Sequence, residues 1–558
     1  MIERFLKQAQ FASLEDFRKH FRLKVPRNFN FAYDVMDAWA AEQPDKPALL
    51  WANDKGRSTQ YTFADIKRLS DRAASYFRFL GIGKGDMVML MLKRRYEWWI
   101  CMLALHKIGA IAIPATHLLT SLDIVYRIER ARIRAIVCAG EPYILNHIIK
   151  AVDLCGGVGR TVRTLISIGP EVPEGFHDFH AEWRSAPPFH RPEKVNTNDD
   201  IMLMYFTSGT AGEPKMVIHD YRYPLGHLAT GAFWHNLGPD SVHLTIADTG
   251  WAKAAWGKMY GQWLAGATLF VYDHDRFKAD DILLKINQYR VTSLCAPPTI
   301  FRFLIQEDLD RYDLSSLKWL CTAGEALNGA VYDTMLQKTG LKIHEGFGQT
   351  ESTLLLGTFP WMEPKPGSMG IPSPQYKIAL LGPDGKRVRR GKVGEICIKT
   401  DGGVPPGLFR GYLNEDLKTN AVWHDGYYHT CDQAWQDEDG YFWFVGRNDD
   451  IIKSSGYRVS PFEVESVLMM HPAVLECAVT GVPDAVRGFV VKASIILTDA
   501  YKAKAGPALA KEIQTFVKST TAPYKYPRVV EFVAELPKTI SGKIRRNEIR
   551  RNEIRRKG

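Results

Sequence analysis

Stretches with helical spacing of apolar residues alternate with strand-like stretches along the chain. Apolar side chains recur every three to four positions over residues 63–80 and 96–108, as on one face of a helix. Residues 87–92 and 135–138 are short apolar runs typical of buried strands. Because helices that alternate with strands cover a sheet, the pattern predicts an α/β fold for the first 400 residues.

The pattern changes after residue 382, where glycine and proline cluster up to residue 411. A smaller α/β pattern begins beyond residue 447. Its expected elements are helices near 461–470 and 507–519 and strands near 475–480 and 490–496. The polar segment between the two patterns is typical of a domain boundary. We therefore predict a large multi-layer N-terminal α/β domain (1–446), a hinge (447–450) and a small, mobile α+β C-terminal domain (451–544).

Positive charge is concentrated at the end of the chain. The net charge is +10, and residues 538–558 contribute +7 of it, with three Lys and six Arg against two Glu. Residues 545–558 repeat the pattern RRNEI, so Ile544, Ile549 and Ile554 are five positions apart and step around a helix by about 140°. They form no apolar stripe, and we expect a basic, frayed tail. This local charge is weak support for nucleic-acid binding.

Composition excludes several other classes of protein. The eight cysteines are scattered without a Cys-x-x-Cys pair or a Cys/His grouping at zinc spacing, which disfavours a disulfide scaffold and a structural zinc site. The apolar stretch 98–105 is far shorter than the ~20 residues that span a bilayer. Residues 1–7 include an acid and do not resemble a secretory signal. These features favour a cytoplasmic protein without stable membrane insertion.

A loop rich in glycine and hydroxyl groups follows the apolar run 201–204. Its sequence is Thr207-Ser208-Gly209-Thr210-Ala211-Gly212-Glu213-Pro214-Lys215. Backbone N–H groups and hydroxyls can converge there on phosphate oxygens, while Lys215 adds positive charge. The spacing of a Walker A motif is missing, which disfavours a P-loop ATPase. An ordinary glycine-rich turn is the other reading of this segment alone.

Five further motifs follow in order. They are Gly324-Glu325-Ala326, Gly346-Phe347-Gly348-Gln349-Thr350-Glu351, Tyr428-His429-Thr430-Cys431-Asp432, Gly446-Arg447-Asn448-Asp449-Asp450 and Pro537-Lys538-Thr539-Ile540-Ser541-Gly542-Lys543. Together with the loop at 207–215, this series resembles the adenylate-forming (AMP-binding) superfamily. Within it, the sequence is most similar to the medium-chain acyl-CoA synthetase branch, over nearly the whole chain.

The resemblance implies an ATP-dependent acid–thiol ligase. Such an enzyme joins a carboxylic acid to the α-phosphate of ATP, releases pyrophosphate, and passes the acyl group from AMP to coenzyme A. The implied ligands are ATP, Mg²⁺, coenzyme A and a carboxylic acid, which we expect to be medium-chain, branched or aromatic. Transfer to a carrier protein is an alternative. The sequence does not decide whether the protein forms a homo-oligomer.

The resemblance also implies roles for single residues. The nucleotide-binding set is Thr207, Ser208, Gly209, Thr210, Gly212, Lys215, Gly324, Glu325, Ala326, Gln349, Asp432 and Arg447. Thr350 contacts the α-phosphate and Glu351 supports the metal ion. Lys543 swings into the cleft and neutralises charge during adenylation. Asp449 is the pivot between the two half-reactions, and Ser455, Gly456 and Arg458 line the path of coenzyme A.

The acyl pocket is expected at Trp251, Ala323 and Gly348. In acetate-using relatives a tryptophan stands in the place of Gly348 and a valine in that of Ala323, so small residues there predict a larger cavity. Trp256 and Lys253, near Trp251, are interpreted as core packing and a surface charge.

Two features of the sequence do not fit this resemblance. Cys431 replaces the glycine usual in its motif, and a positive φ there brings strain. Residues 81–86, Gly-Ile-Gly-Lys-Gly-Asp, suggest a nicotinamide dehydrogenase, but they follow a helical stretch and precede a strand, which is the wrong order for a dinucleotide-binding loop.

Overall fold

The computed structural model describes residues 1–207, 213–325, 327–447, 450–454, 457–484, 488–538 and 544–557. Its first strands are β1 (Pro47–Asn53), β2 (Ser58–Thr62), β3 (Met87–Met91), β4 (Ile111–Pro114), β5 (Ala135–Ala139), β6 (Thr164–Ile168), β7 (His177–Asp178), β8 (Ile201–Thr207), β9 (Lys215–Asp220), β10 (Val242–Thr245), β11 (Thr268–Asp273), β12 (Ser293–Cys295), β13 (Trp319–Ala323), β14 (Ile343–Phe347), β15 (Leu356–Gly357) and β16 (Ile371–Pro372). The later strands are β17 (Ile378–Leu381), β18 (Gly394–Lys399), β19 (Gly411–Tyr412), β20 (Trp423–His424), β21 (Tyr427–Gln436), β22 (Phe442–Arg447), β23 (Ile452–Ser454), β24 (Tyr457–Val459), β25 (Val474–Asp484), β26 (Gly488–Leu497) and β27 (Val529–Phe532).

The α-helices are α1 (Leu14–His20), α2 (Ala38–Glu42), α3 (Phe63–Phe79), α4 (Glu97–Ile108), α5 (Ser121–Ala131), α6 (Pro142–Leu154), α7 (Phe179–Glu182), α8 (Tyr223–Gly226), α9 (Ala252–Gly257), α10 (Tyr260–Leu264), α11 (Ala279–Gln288), α12 (Pro298–Leu304), α13 (Gly329–Thr339), α14 (Asp416–Asn420), α15 (Pro461–Leu468), α16 (Asp499–Lys502), α17 (Pro507–Thr520) and α18 (Arg546–Lys557). Short 3₁₀ segments cover Ile2–Arg4, Trp183–Ser185, Leu309–Arg311 and Pro523–Lys525, and π-helical turns cover Ala32–Asp37 and Ala229–Trp234.

Two large sheets form the N-terminal part of the protein. Among the described residues, one has eight strands in the order β19-β9-β8-β4-β3-β5-β6-β7, and the other has nine in the order β16-β15-β14-β13-β12-β10-β11-β1-β2. Their central strands run parallel. One continuous buried cluster includes apolar residues of both sheets and of helices α3 and α4. The two sheets and these helices therefore share a core.

Helices α3 and α4 follow from local sequence. Thr62 and Asp65 form a capping box at the start of α3, which satisfies N–H groups that would otherwise lack partners. Helix α4 is buried on all sides rather than on one face, because most of its side chains are apolar, and it ends at Gly109 with φ 76°, a conformation that favours glycine.

Two smaller sheets complete the fold. In the described residues, β17-β18-β21-β20 form one sheet with β22 paired to β21, and β24-β23-β26-β25 form another with β27 paired to β26. Helices α15 and α17 share a buried cluster with the second of these sheets. The prediction of an α/β fold with a large N-terminal and a smaller C-terminal part is confirmed, while the domain boundaries stay a prediction.

The expectation of a frayed tail is wrong for the described part. Helix α18 is docked, and Ile549 is buried against Ala478 and Leu536. Arg546 donates two hydrogen bonds to Glu465, and Arg550 donates one to Asp450. The five-residue repeat gives no apolar stripe, but ion pairs and one buried isoleucine hold the helix instead. No helix in the described ranges is long and apolar enough to cross a membrane.

Candidate active site

Thr207 and Lys215, the first and last residues of the phosphate-binding loop predicted from the sequence, lie on neighbouring strands. Strands β8 and β9 are antiparallel, and their register places Thr207 opposite Lys215. Both residues line a cleft of about 1680 Å³. The remaining predicted residues of this loop lie outside the described residues: Ser208, Gly209, Thr210 and Gly212.

Glu351 lies in the same cleft beside Tyr412, the last residue of β19. The Tyr412 hydroxyl donates a hydrogen bond of 2.9 Å to Glu351 Oε1. Lys215 Nζ lies 4.6 Å from the centre of the Tyr412 ring, close enough for a cation–π contact. Burial, with the nearby Glu351 carboxylate, raises the pKa of Tyr412, so its hydroxyl stays protonated and donates. Tyr412 thus joins the predicted metal-supporting carboxylate to the predicted phosphate-binding lysine.

Gln349, two residues before Glu351, takes part in a second network of hydrogen bonds. Gln349 donates from Nε2 to Asp432 Oδ2 and to the carbonyl oxygen of Thr430, and it accepts from the Tyr428 hydroxyl at 2.7 Å. Asp432 on β21 is the cross-strand partner of Arg447 on β22, with 3.9 Å between Oδ1 and Arg447 Nη1. The register therefore brings the two predicted ribose-binding residues together.

Thr350 connects the two ends. It lies between Gln349 and Glu351, lines the cleft, and its carbonyl oxygen is 2.9 Å from His219 Nε2. Burial lowers the pKa of His219 to about 3, so the ring is neutral. One three-residue segment of the cleft thus carries an amide that is hydrogen-bonded to Asp432, a hydroxyl, and a carboxylate that is hydrogen-bonded to Tyr412.

The segment after β13 reaches the same place for a topological reason. Strands β13 and β14 are parallel, with Ala323 opposite Gly346, so the residues that follow each strand leave the sheet at one edge. Gly324 and Glu325 line the cleft next to Gly346. Gly324 has φ 103°, which an L side chain rarely adopts. Ala326, the third predicted residue, lies outside the described residues.

The three residues of the predicted acyl pocket lie in the same cleft. Trp251, Ala323 and Gly348 line it, together with Trp256. A Cβ atom added to Gly348 would lie 2.2 Å from Cη2 of Trp256. The space that the small Gly348 leaves is therefore filled by the Trp256 indole, and the expectation that this glycine simply enlarges the cavity is corrected.

Lys253 is not the surface charge expected from the sequence. Its Nζ donates a 2.9 Å hydrogen bond to the carbonyl oxygen of Ala323 and it lines the cleft. Burial lowers its pKa from the ordinary lysine value. The fold therefore places a lysine amine in the cleft beside Ala323, which no motif in the sequence indicates.

Glu345 is a further residue that sequence reasoning missed. Its carboxylate accepts hydrogen bonds from the backbone N–H groups of Leu327 (2.9 Å) and Gly367 (2.6 Å), beneath the segment that carries Glu325. Burial raises the pKa of Glu345 to about 8. The signal in the sequence is a single acid inside the strand Ile343–Phe347.

Several predicted residues are not described. Asp449, Ser455, Gly456 and Lys543 lie outside the described ranges, and Arg458 lies on β24 opposite Lys453. Ile544, which follows Lys543, lines the cleft. The roles of these residues in catalysis, hinge motion and coenzyme A binding stay predictions.

Cys431 has the positive φ that was expected to bring strain at this position. Its φ is 61°, in the left-handed region, and its N–H donates a 2.9 Å hydrogen bond to Glu395 Oε1. This bond compensates part of a strain on the order of 1 kcal/mol. Asp432, the next residue, stays directed into the cleft.

The cleft is lined by both polar residues and large aromatic residues, and the family comparison identifies the class of protein that has it. The sequence model described as "AMP-binding enzyme" matches residues 36–413, and the one described as "AMP-binding enzyme C-terminal domain" matches residues 463–543. The chain belongs to the AMP-binding enzyme family. The family and the branch that the sequence resembles are thereby confirmed.

Individual relatives are similar over almost their whole length. The chain is 40% identical over 546 residues to "Acyl-coenzyme A synthetase ACSM3, mitochondrial" of Pongo abelii (96% of this chain, 92% of the relative). It is 41% identical over 534 residues to "Acyl-coenzyme A synthetase ACSM5, mitochondrial" of Mus musculus (94% and 91%). The solved anthranilate CoA ligase AuaEII, in complex with anthranoyl-AMP, is 28% identical with a TM-score of 0.86 (96% and 99%).

These names contradict one expectation. The two curated relatives are mitochondrial proteins, so the prediction of a cytoplasmic location is wrong. The prediction of a cytoplasmic location depended on general composition and on residues 1–7. The similarity to a mitochondrial relative extends over 96% of the chain and is the stronger indication.

Proposed function

We propose that the protein is an AMP-forming acid–thiol ligase. It activates a carboxylic acid as acyl-AMP, releases pyrophosphate, and transfers the acyl group to coenzyme A. The relatives are acyl-CoA synthetases and CoA ligases, and the predicted activity is confirmed at this level. The acid, the metal ion and the roles of individual residues are part of the proposal.

The observation that carries the proposal is the placement of residues 349–351. Gln349 is hydrogen-bonded to Asp432 at one end, and Glu351 is hydrogen-bonded to Tyr412 beside Lys215 at the other. A nucleotide bound along this segment has its ribose hydroxyls near Asp432 and its phosphates near Lys215. Its α-phosphate then lies near Thr350, between the sugar and the outer phosphates.

The reaction needs negative charge to be neutralised as two anions approach each other. Lys215 supplies positive charge to the outer phosphates, and the hydroxyls of Thr207 and Thr350 supply donors. The acid's carboxylate oxygen attacks the α-phosphorus, and the bond to the bridging oxygen of pyrophosphate breaks. The thiol of coenzyme A then attacks the carbonyl carbon and AMP leaves.

The residues near Glu351 fit a magnesium ion. Mg²⁺ binds in proteins through one or two carboxylates together with phosphate oxygens and water. Glu351 offers one carboxylate, and its Oε1 is oriented by Tyr412. Glu351 would hold the ion, which would supply positive charge to the phosphates when bound.

Lys543 is the proposed adenylation lysine, and Asp449 the proposed pivot of the C-terminal domain. The position of Ile544 on the cleft supports the first assignment, since Lys543 precedes it directly. Lys543→Ala is expected to abolish acid-dependent exchange of pyrophosphate into ATP while supplied acyl-AMP is still converted to the thioester. Equal loss of both half-reactions contradicts the assignment.

The proposed acid is medium-chain, branched or aromatic. The pocket is lined by Trp251, Trp256 and Ala323, which present apolar surface to the acyl group. The relative solved with anthranoyl-AMP is an anthranilate ligase, which favours tests of aryl acids.

The experiment is AMP release by the full chain with ATP, Mg²⁺, coenzyme A and a panel of C2 to C12, branched and aryl acids. The expected result is equimolar AMP and acyl-CoA with acids larger than acetate. ADP as the nucleotide product contradicts the proposal. Release of pyrophosphate with accumulation of acyl-AMP, but without acyl-CoA, favours the carrier-protein alternative.

A further inference from the structure

A cluster of three potential metal ligands lies on the small sheet that carries Asp432. Cys397 on β18 is the direct cross-strand partner of His429 on β21, and Glu395, also on β18, has its carboxylate near both. One ligand atom from each residue lies within 4.8 Å of the others. The nucleotide chemistry proposed above uses none of the three. Sequence spacing did not reveal the cluster because its members come from two strands.

The two distances from His429 Nδ1 agree with the spacing of ligands around one metal ion, and the distance to Glu395 is longer than that of a strong hydrogen bond. His429 Nδ1 is 3.4 Å from Cys397 Sγ and 3.4 Å from Glu395 Oε2. A strong N–H···O bond is about 2.7–3.2 Å long. Around a tetrahedral zinc ion, with Zn–N and Zn–O near 2.0 Å and Zn–S near 2.3 Å, two ligand atoms are separated by about 3.3–3.5 Å.

The surroundings hold these side chains in place. The His429 ring stacks on His424 with ring centres 3.8 Å apart, and its enclosed Nε2 has no hydrogen-bond partner among the described residues. Nδ1 is therefore the ring nitrogen that faces polar groups. Cys397 is fully buried against Leu381 and Tyr427, while the side chains of Glu395 and His429 are 19% and 12% exposed. An ion can enter from their side.

We propose that Glu395, Cys397 and His429 bind a zinc ion, with water in the fourth position. A thiolate, an imidazole and a carboxylate together suit Zn²⁺, whereas Mg²⁺ and Ca²⁺ prefer oxygen ligands alone. A cysteine binds zinc as the thiolate, so binding replaces the thiol proton of Cys397 by the ion and releases that proton to solvent.

The site borders the proposed ribose end of the cleft, since His429 is one of the residues that line the cleft. Glu395 Oε1 already accepts the N–H of Cys431, the residue before Asp432. An ion on Oε2 fixes the same carboxylate and links β18 to β21. Zinc binding is thus expected to stabilise the turn that presents Asp432, independently of the reaction that the cleft catalyses.

The test is titration of the full chain, freed of metal with a chelator, with Co²⁺ as a spectroscopic probe and then Zn²⁺. The expected result is one equivalent of Co²⁺ with a thiolate-to-cobalt absorption band, displaced by Zn²⁺, and a higher unfolding temperature with Zn²⁺. Cys397→Ser is expected to lose the band. Cys155→Ser, which changes a buried cysteine directly after helix α6, is the matched control and is expected to keep it.

Glu395→Gln provides a second variant in case Cys397→Ser does not fold. It keeps an oxygen for the Cys431 N–H but removes the carboxylate charge, and affinity is expected to fall by about 10-fold or more. The absence of a stoichiometric site overturns the proposal. So does a band that persists in Cys397→Ser, or an affinity that Glu395→Gln leaves unchanged.

Discussion

The Tyr412 hydroxyl donates a 2.9 Å hydrogen bond to Glu351 Oε1 while Lys215 Nζ lies 4.6 Å above the centre of the same ring. Glu351 comes from the segment after β14, Tyr412 from β19 and Lys215 from β9. The tyrosine therefore positions a carboxylate from one sheet beside a cation from the other. The Tyr412 hydroxyl orients the carboxylate oxygen of Glu351, and the Tyr412 ring positions the amine of Lys215.

Tyr412→Phe separates these two effects. The ring below Lys215 is kept, but the hydrogen bond to the carboxylate is lost. A hydrogen bond to a charged group contributes about 1.5–3 kcal/mol, so we expect roughly 10- to 100-fold slower pyrophosphate exchange and a higher Mg²⁺ requirement. The measurement is exchange rate against Mg²⁺ concentration. Tyr441→Phe, which loses a bond to the Glu363 carbonyl oxygen, is the control; equal effects of both variants contradict the role of Tyr412.

Trp256→Ala is expected to change the choice of acid. The indole fills the space beside Gly348, so its removal lengthens the pocket and raises kcat/KM for longer or bulkier acids relative to short ones. Loss of a buried tryptophan also costs about 3–5 kcal/mol of stability. Trp183→Ala is a control of similar burial that does not line the cleft. An unchanged acid profile in Trp256→Ala contradicts the assignment, provided that both variants fold.

Arg546→Ala is expected to destabilise the C-terminal part of the protein. Arg546 donates to both oxygens of Glu465, a buried carboxylate whose pKa burial raises. Removing the arginine leaves that group without its partner charge, at a cost of about 3–5 kcal/mol. Urea unfolding measures the loss. Arg551→Ala changes an exposed arginine of the same helix and is expected to have little effect; similar effects of the two contradict a docked α18.

Glu345 predicts a pH dependence of stability. Burial raises its pKa in the folded state to about 8, against about 4.5 in the unfolded chain. Between these values the folded protein holds a proton that the unfolded chain has lost. The contribution of Glu345 to the free energy of unfolding is complete below about pH 4.5 and is lost as the pH rises to about 8. Over this range the free energy of unfolding falls by up to about 1.4 kcal/mol per pH unit. Glu345→Gln is expected to flatten the free energy of unfolding over this range; an unchanged slope contradicts it.

Much of the fold could be predicted because it depends on local spacing. The helices expected at residues 63–80 and 96–108 are Phe63–Phe79 and Glu97–Ile108, and the strand expected at 87–92 is Met87–Met91. The periods of helices and strands suffice for these elements. The pairing of Asp432 with Arg447 also agrees with the shared role predicted for them.

Contacts between distant segments could not be predicted in this way. The tail repeat has no apolar stripe, yet α18 is docked through Asp450 and Glu465, whose positions only the fold reveals. In the same way, no local pattern shows that Trp256 fills the space beside Gly348. Helical periodicity reports which face is apolar, not which charged or aromatic group from elsewhere meets it.

The most direct measurement of the central claim is the fate of oxygen from the acid. With the carboxylate labelled in both oxygens with ¹⁸O, attack on the α-phosphorus places one labelled oxygen between the acyl group and AMP, and thiol attack at the carbonyl leaves it on AMP. Mass spectrometry of the products is expected to find one ¹⁸O in AMP and none in pyrophosphate. Unlabelled AMP, or label in inorganic phosphate, would show that acyl-AMP is not the intermediate.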